Sequence, residues 1–103
     1  MDLIFDIDGT LLNIQHRVHH LHKNPPDWQS FNTEIDNDSG IPEMVKLLLT
    51  IASDFSNRLI FCSGRNERNR LVTEKQLLNL LFPIYKGSTL RKMNLYLRSA
   101  GDF

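Results

Sequence analysis

The stretch LIFDIDGTLL, residues 3–12, constrains this chain more than any other. Two carboxylates, Asp6 and Asp8, stand inside an otherwise apolar run that ends in a Gly-Thr turn. Such a run reads as a buried strand. A buried carboxylate is costly unless it is paired, hydrogen-bonded or bound to a metal. The two aspartates therefore call for a polar site at the end of this strand, and the rest of the chain must supply it.

The hydrophobic pattern sets where that supply comes from. A strand over residues 2–6 is followed by an irregular polar region to about residue 40. Within it NPPDW (24–28) breaks the chain, and a short helix capped by Asp27 runs through Phe31. SGIPEMVKLLLTIASDF places Pro42 at a helix start, with Met44, Leu48, Ile51 and Phe55 on one face and Val45, Leu49 and Ala52 beside them. RLIFCS (58–63) predicts a second buried strand ended by Gly64. Residues 66–81 predict an amphipathic helix whose turns are traced by Leu71, Glu74, Lys75, Leu78 and Leu81. NLYLRS (94–99) predicts a third strand. Strand–helix–strand–helix–strand is the α/β class, a parallel sheet with right-handed crossovers. Sites in such sheets lie beyond the carboxyl ends of the strands. The first strand brings Asp6 and Asp8 there, the second Ser63, Gly64 and Arg65, and the third Ser99 and Asp102.

A chain of 103 residues suffices for one domain with one core. Twelve basic and twelve acidic residues cancel, so no overall field steers the protein to nucleic acid or anionic membrane. The single cysteine, Cys62, lies in the apolar run IFCS and reads as a buried thiol in a reducing compartment. No apolar stretch approaches the length of a membrane span. A cytoplasmic location is the expectation.

DIDGT closing a first strand, with Ser63 closing a second, resembles the haloacid dehalogenase (HAD) superfamily of phosphohydrolases. The resemblance implies a three-layer αβα Rossmann-like fold and a Mg²⁺-dependent phosphatase. Asp6 would be the nucleophile that forms an aspartyl-phosphate. Asp8 would protonate the leaving oxygen and then activate water. The Asp6 carboxylate and the Asp8 main-chain carbonyl would hold Mg²⁺. Thr10, Ser63 and Gly64 would bind the phosphoryl group. HRVHHL, NPPDWQSF, SGR, the TE of the following helix and LYLRSAGDF are similar to the phosphatase module of polynucleotide kinase–phosphatases, in order along the whole chain. That likeness implies a minimal cap, an open site and a substrate that is a 3′-phosphorylated nucleic acid end or a nucleotide. Arg17 and His20 match the HRxHH pattern as substrate contacts near the site mouth.

Several residues carry two readings. The i, i+3, i+4 spacing within His16, His19, His20 and His22 suits a metal site, but a solvated polar face is the commoner outcome. Trp28 and Phe31 suit base stacking or simple packing. Arg65 suits a bidentate phosphate contact or a loop anchor on a carboxylate such as Asp102. Asp8 also suits a plain turn-capping role.

The resembled family continues past the equivalent of SAGDF with a lysine and then an acidic pair that completes the metal site. Neither follows residue 103 in this sequence, and Lys86, Arg91, Lys92 and Arg98 are the nearby cations. The expectation is therefore a partial HAD-like domain over residues 1–103, with about three strands and an open edge at the first. A homodimer or a second chain would cover that edge. A catalytically incomplete relative that binds nucleic acid, phosphate or protein is the alternative function.

Overall fold

A computed structural model of the chain describes residues 1–82 and 94–99. The elements are β1 (Asp2–Asp6), β2 (Leu12–Asn13), α1 (Gln15–Val18), α2 (Trp28–Thr33), β3 (Ser39–Gly40), α3 (Pro42–Ala52), β4 (Arg58–Asn66), α4 (Arg70–Leu81) and β5 (Asn94–Arg98). Short 3-10 turns cover His19–His22, Ile35–Asn37 and Glu67–Asn69. The fold is mixed α/β. Three parallel strands run in the order β1-β4-β5, with Phe5 beside Phe61 and Phe61 beside Leu95.

Side chains alternate across a strand, and here the alternation separates two very different faces. Phe5, Leu59, Phe61 and Leu95 point into a core with Leu48 and Ala52 of α3 and Leu77 and Leu81 of α4. Ile4 and Tyr96 lie on the other face and are 70% and 63% exposed. Among the described residues, then, helices cover one face of the sheet rather than two, and β1 forms an edge.

α3 begins with Pro42 at its first turn and Glu43 beside it, both suited to a helix N-terminus. It ends at Ala52, so Phe55 lies beyond the helical period and is exposed, contrary to its expected place on the apolar face. α4 buries Thr73, Leu77 and Leu81, one residue per turn, while Leu71 is 82% exposed. Leu71 precedes Thr73 by two residues, about 200° around the helix, and so faces away from the sheet. The start of the expected helix is a 3-10 turn, capped by the Asn66 side chain.

β4 continues past Gly64 instead of ending there. Its pairing with β5 breaks after Cys62–Tyr96 and resumes at Asn66–Arg98, so Ser63, Gly64 and Arg65 form an irregularity in the ladder. Irregularities of this kind re-aim side chains next to sites.

Residues 14–38 form a small helical insertion between β1 and α3. Asp27 caps α2 by accepting from the Ser30 amide at 3.0 Å, as the sequence predicts. The two-residue ribbon β2–β3 closes the neck of the insertion. A Cβ at Gly40 would sit 2.9 Å from Val45 Cγ2 and 3.0 Å from Leu80 Cδ2, so the neck admits little more than glycine there. Buried Ile35 docks the far end, and its carbonyl accepts from Gln76 Nε2 of α4 at 2.7 Å. No helix among the described residues is long and apolar enough to cross a membrane.

Candidate active site

β1 ends at Asp6, and the chain then turns back sharply. Gly9 adopts φ +78°, the left-handed region that other residues enter only with strain. The turn gathers the amides of Thr10, Leu11 and Leu12 on the Ile7 carbonyl at 3.2, 2.9 and 3.0 Å. Ile7 itself is fully buried, which turns Asp6 and Asp8 on either side of it toward the polar end of the sheet. Thr10 Oγ1 donates to Asp6 Oδ2 at 3.1 Å, and the Asp6 residue remains exposed. With Ser63, Gly64, Tyr96 and Arg98, Asp6 lines an open cavity of about 490 Å³.

Asp8 has a different environment. Its Oδ1 accepts from Arg65 Nη2 at 2.7 Å, Arg65 Nε at 3.1 Å and Arg17 Nη2 at 3.2 Å. Both guanidiniums continue to a second carboxylate, Asp38, which accepts from Arg17 Nε at 2.9 Å, Arg17 Nη2 at 2.8 Å and Arg65 Nη2 at 2.9 Å. The side chains of Arg17, Arg65 and Asp38 are 1%, 2% and 0% exposed, whereas that of Asp8 is 26% exposed. Arg65 Nη1 also donates to Thr73 Oγ1 at 3.0 Å and Gln76 Oε1 at 2.6 Å. Arg17 donates to the Phe31 carbonyl and lies 4.2 Å above the Phe31 ring. Two buried positive charges thus meet two negative ones, and among the described residues no buried side-chain nitrogen or oxygen lacks a partner. Burying charges in this way is tolerable only with such complete pairing.

A cavity of about 960 Å³ opens onto this network, lined among others by Asp8, Arg17, Arg65, Trp28, Phe31 and Arg98. Gly64 and Arg98 line both cavities, so the Asp6 and Asp8 sides adjoin. Trp28 is 58% exposed, and its ring stands perpendicular to that of Phe31 with centroids 5.8 Å apart.

Two of the four histidines, His16 and His20, bind carboxylates. His16 Nε2 lies 2.6 Å from Asp38 Oδ1, and His20 Nε2 lies 2.9 Å from Glu34 Oε1. The His20 hydrogen bond is the largest cause holding the Glu34 carboxyl below its ordinary value. His20 is buried, receives Lys23 Nζ on Nδ1 at 3.3 Å, and lies outside both cavities rather than at the site mouth. Arg17, its predicted companion, is buried and lines the larger cavity. Ser63 Oγ accepts from the Arg65 amide at 3.0 Å, and the Ser99 carbonyl accepts from Asn66 Nδ2 at 3.1 Å. Lys86, Arg91, Lys92 and Asp102 lie outside the described residues.

For a metal, the Asp6 carboxylate and the Asp8 carbonyl are hard oxygen donors. Among the described residues no group of three or more His, Cys, Asp or Glu side chains is placed to hold an ion. Oxygen donors of this kind are the type Mg²⁺ takes, commonly one or two carboxylates with several waters or substrate oxygens.

Asp38, Thr73 and Gln76 do not stand out in the sequence as site residues. Asp38 sits in the polar run EIDNDSG, where nothing in composition separates it from Asp36. Comparison with known proteins adds no relative: no protein-family model, no curated protein and no solved structure matches the chain.

Proposed function

We propose that the protein is a phosphomonoester hydrolase of the HAD type that acts on nucleotides or 3′-phosphorylated nucleic acid ends. The observation that carries this reading is the contrast between the two aspartates. Asp6 presents a carboxylate at an open cavity at the carboxyl end of β1. Asp8, two residues on, is bound to two buried guanidiniums at the adjoining cavity. A carboxylate at an open cavity beside a pair of cavity-lining arginines suits phosphoryl transfer, whose catalysis is largely positioning and charge stabilisation.

In this mechanism the Asp6 carboxylate attacks phosphorus, the ester P–O bond breaks, and the leaving oxygen takes a proton from Asp8. Water then attacks the aspartyl-phosphate, giving its proton to Asp8 and releasing phosphate and free Asp6. Mg²⁺ held by the Asp6 carboxylate and the Asp8 carbonyl would shield the anionic nucleophile from the anionic phosphate. Thr10 orients Asp6 through its hydrogen bond. Ser63 and Gly64 line the same cavity as Asp6 and serve as phosphoryl contacts. The insertion over residues 14–38 stands where a cap would. Exposed Trp28 lines the same cavity as the arginines and is the residue that would stack a nucleobase, a contact worth about 1–3 kcal/mol. The reading places the enzyme in the cytoplasm, where a lone Cys62 needs no disulfide partner.

The experiment is phosphate release from 3′-phosphorylated oligonucleotides and from an aryl phosphate, with and without Mg²⁺. Turnover should require the metal and fall to the uncatalysed background in Asp6→Asn, because an amide is not an anionic nucleophile. Undiminished turnover in Asp6→Asn, or indifference to a chelator, refutes the mechanism. The second reading, a module that binds phosphate without hydrolysis, is favoured by the engagement of Asp8 with both arginines. It predicts phosphate binding with no release from any substrate.

A further inference from the structure

We propose that Asp8 is a displaceable internal ligand of the Arg17–Arg65 pair, which a phosphate dianion from the main cavity replaces while Asp38 stays in place. The inference rests on reading this end of the sheet as a phosphate site, and adds how the site is occupied before substrate arrives.

The two carboxylates of the network are not equivalent. Asp38 is 0% exposed and holds Arg17 through both Nε and Nη2, a two-point grip, and Arg65 through Nη2. Asp8 is 26% exposed, lines the cavity and accepts from Arg17 Nη2 and from Arg65 Nε and Nη2, sharing both Nη2 groups with Asp38. A ligand entering the cavity therefore reaches Asp8 first and Asp38 not at all. Further fixed partners keep the arginines oriented if Asp8 leaves: Thr73 and Gln76 for Arg65, the Phe31 carbonyl and ring for Arg17.

The exchange is favourable in kind. Guanidinium forks match phosphate oxygens as well as carboxylate oxygens, and a phosphate carries the larger charge. One anion replaces another on cations that are already buried, so no buried charge is left unpaired at either end. Arg68 and Arg98 line the same cavity and add positive potential toward an arriving anion.

The exchange also resolves the position of Asp8 in the hydrolase mechanism. While its Oδ1 accepts from both guanidiniums, only Oδ2, which takes Arg65 Nε at 3.2 Å, keeps lone-pair capacity for a leaving group or a water, and the carboxylate is held in one orientation. A phosphate that takes the arginines releases Asp8 beside the very group it is to serve. Acid–base readiness is then coupled to occupancy of the site.

The test is inorganic phosphate binding by calorimetry in a phosphate- and sulfate-free buffer at low ionic strength. Asp8→Asn removes the competing charge at constant shape and should bind phosphate roughly tenfold tighter than wild type, the scale of one charged hydrogen bond. Equal or weaker binding by folded Asp8→Asn overturns the proposal. Wild-type protein gives a readout that does not depend on the variant folding. At saturating phosphate the Asp8 carboxyl ¹³C resonance should shift and that of Asp38 should not. An unmoved Asp8 resonance, or a moved Asp38 resonance, overturns the proposal. Titration of Asp6→Asn with an aryl phosphate distinguishes ester from free phosphate, and an ester that leaves the Asp8 resonance unmoved likewise overturns it. Phosphate release is measured separately, so a positive exchange result with no turnover in any substrate removes the hydrolase reading alone.

Discussion

Asp38→Asn removes one negative charge from the centre of the arginine network with almost no change of shape. The carboxylate is fully buried and accepts three hydrogen bonds from Arg17 and Arg65, with His16 at a fourth position. Removing one partner of a buried ion pair commonly costs 3–5 kcal/mol, because a charge is left uncompensated. Here Asp8, Thr73, Gln76 and the Phe31 carbonyl still receive the guanidiniums, which argues for the lower end, about 3 kcal/mol. A domain of this size has about 5–15 kcal/mol in all, so the loss is a large fraction of it. It corresponds to a fall in Tm on the order of 10 °C or more. Urea unfolding followed by far-ultraviolet circular dichroism, with the slope checked for constancy, measures it. The matched control is Asp2→Asn, which breaks the Arg58–Asp2 pair at 2.6 Å, a shorter contact between side chains 61% and 55% exposed. Solvent screens that pair, and its loss should fall within the scatter of the measurement. A cost below about 1 kcal/mol for Asp38→Asn, the range of exposed pairs, would refute the claim that burial makes this carboxylate the hub.

Three further outcomes follow from the same geometry. Leu77→Ala, at a fully buried position, should cost about 2–5 kcal/mol, whereas Leu71→Ala should stay within about 0.5 kcal/mol, both read by urea unfolding; the reverse order would mean that α4 buries the other face. Gly9→Ala forces a Cβ into φ +78° with nothing crowding it, so the cost is backbone strain alone, about 1 kcal/mol, measured as a shift in unfolding midpoint. Glu34 has its folded value depressed by the His20 hydrogen bond, so its stabilising contribution is full above the unfolded carboxyl value and is lost as pH falls through the folded one. Glu34→Gln should therefore lose less stability than wild type on acidification from about pH 6 to pH 3, followed as Tm against pH, and parallel curves would contradict the assignment.

Local pattern alone located β1, α3 and β5, because an apolar run bounded by turn residues and a helical period opened by Pro42 are one-dimensional signals. The same reasoning brought Asp6 and Ser63 to one end of the sheet, since parallel strands joined by helices deliver their carboxyl ends together. Three-dimensional packing decided the rest. Which face of α4 is buried is set by its packing against the sheet, and that face carries Thr73 beside Leu77 and Leu81, a polar residue that a hydrophobic period passes over. The partners of Arg65 depended on the insertion folding back over α4: Asp38 lies 27 residues away along the chain, and Asp8 lies 57. A sequence displays charged residues without their distances or their burial. Asp36 and Asp38 look alike in EIDNDSG, yet one is exposed and the other is sealed between two arginines, because burial is a property of the surrounding chain and not of the residue.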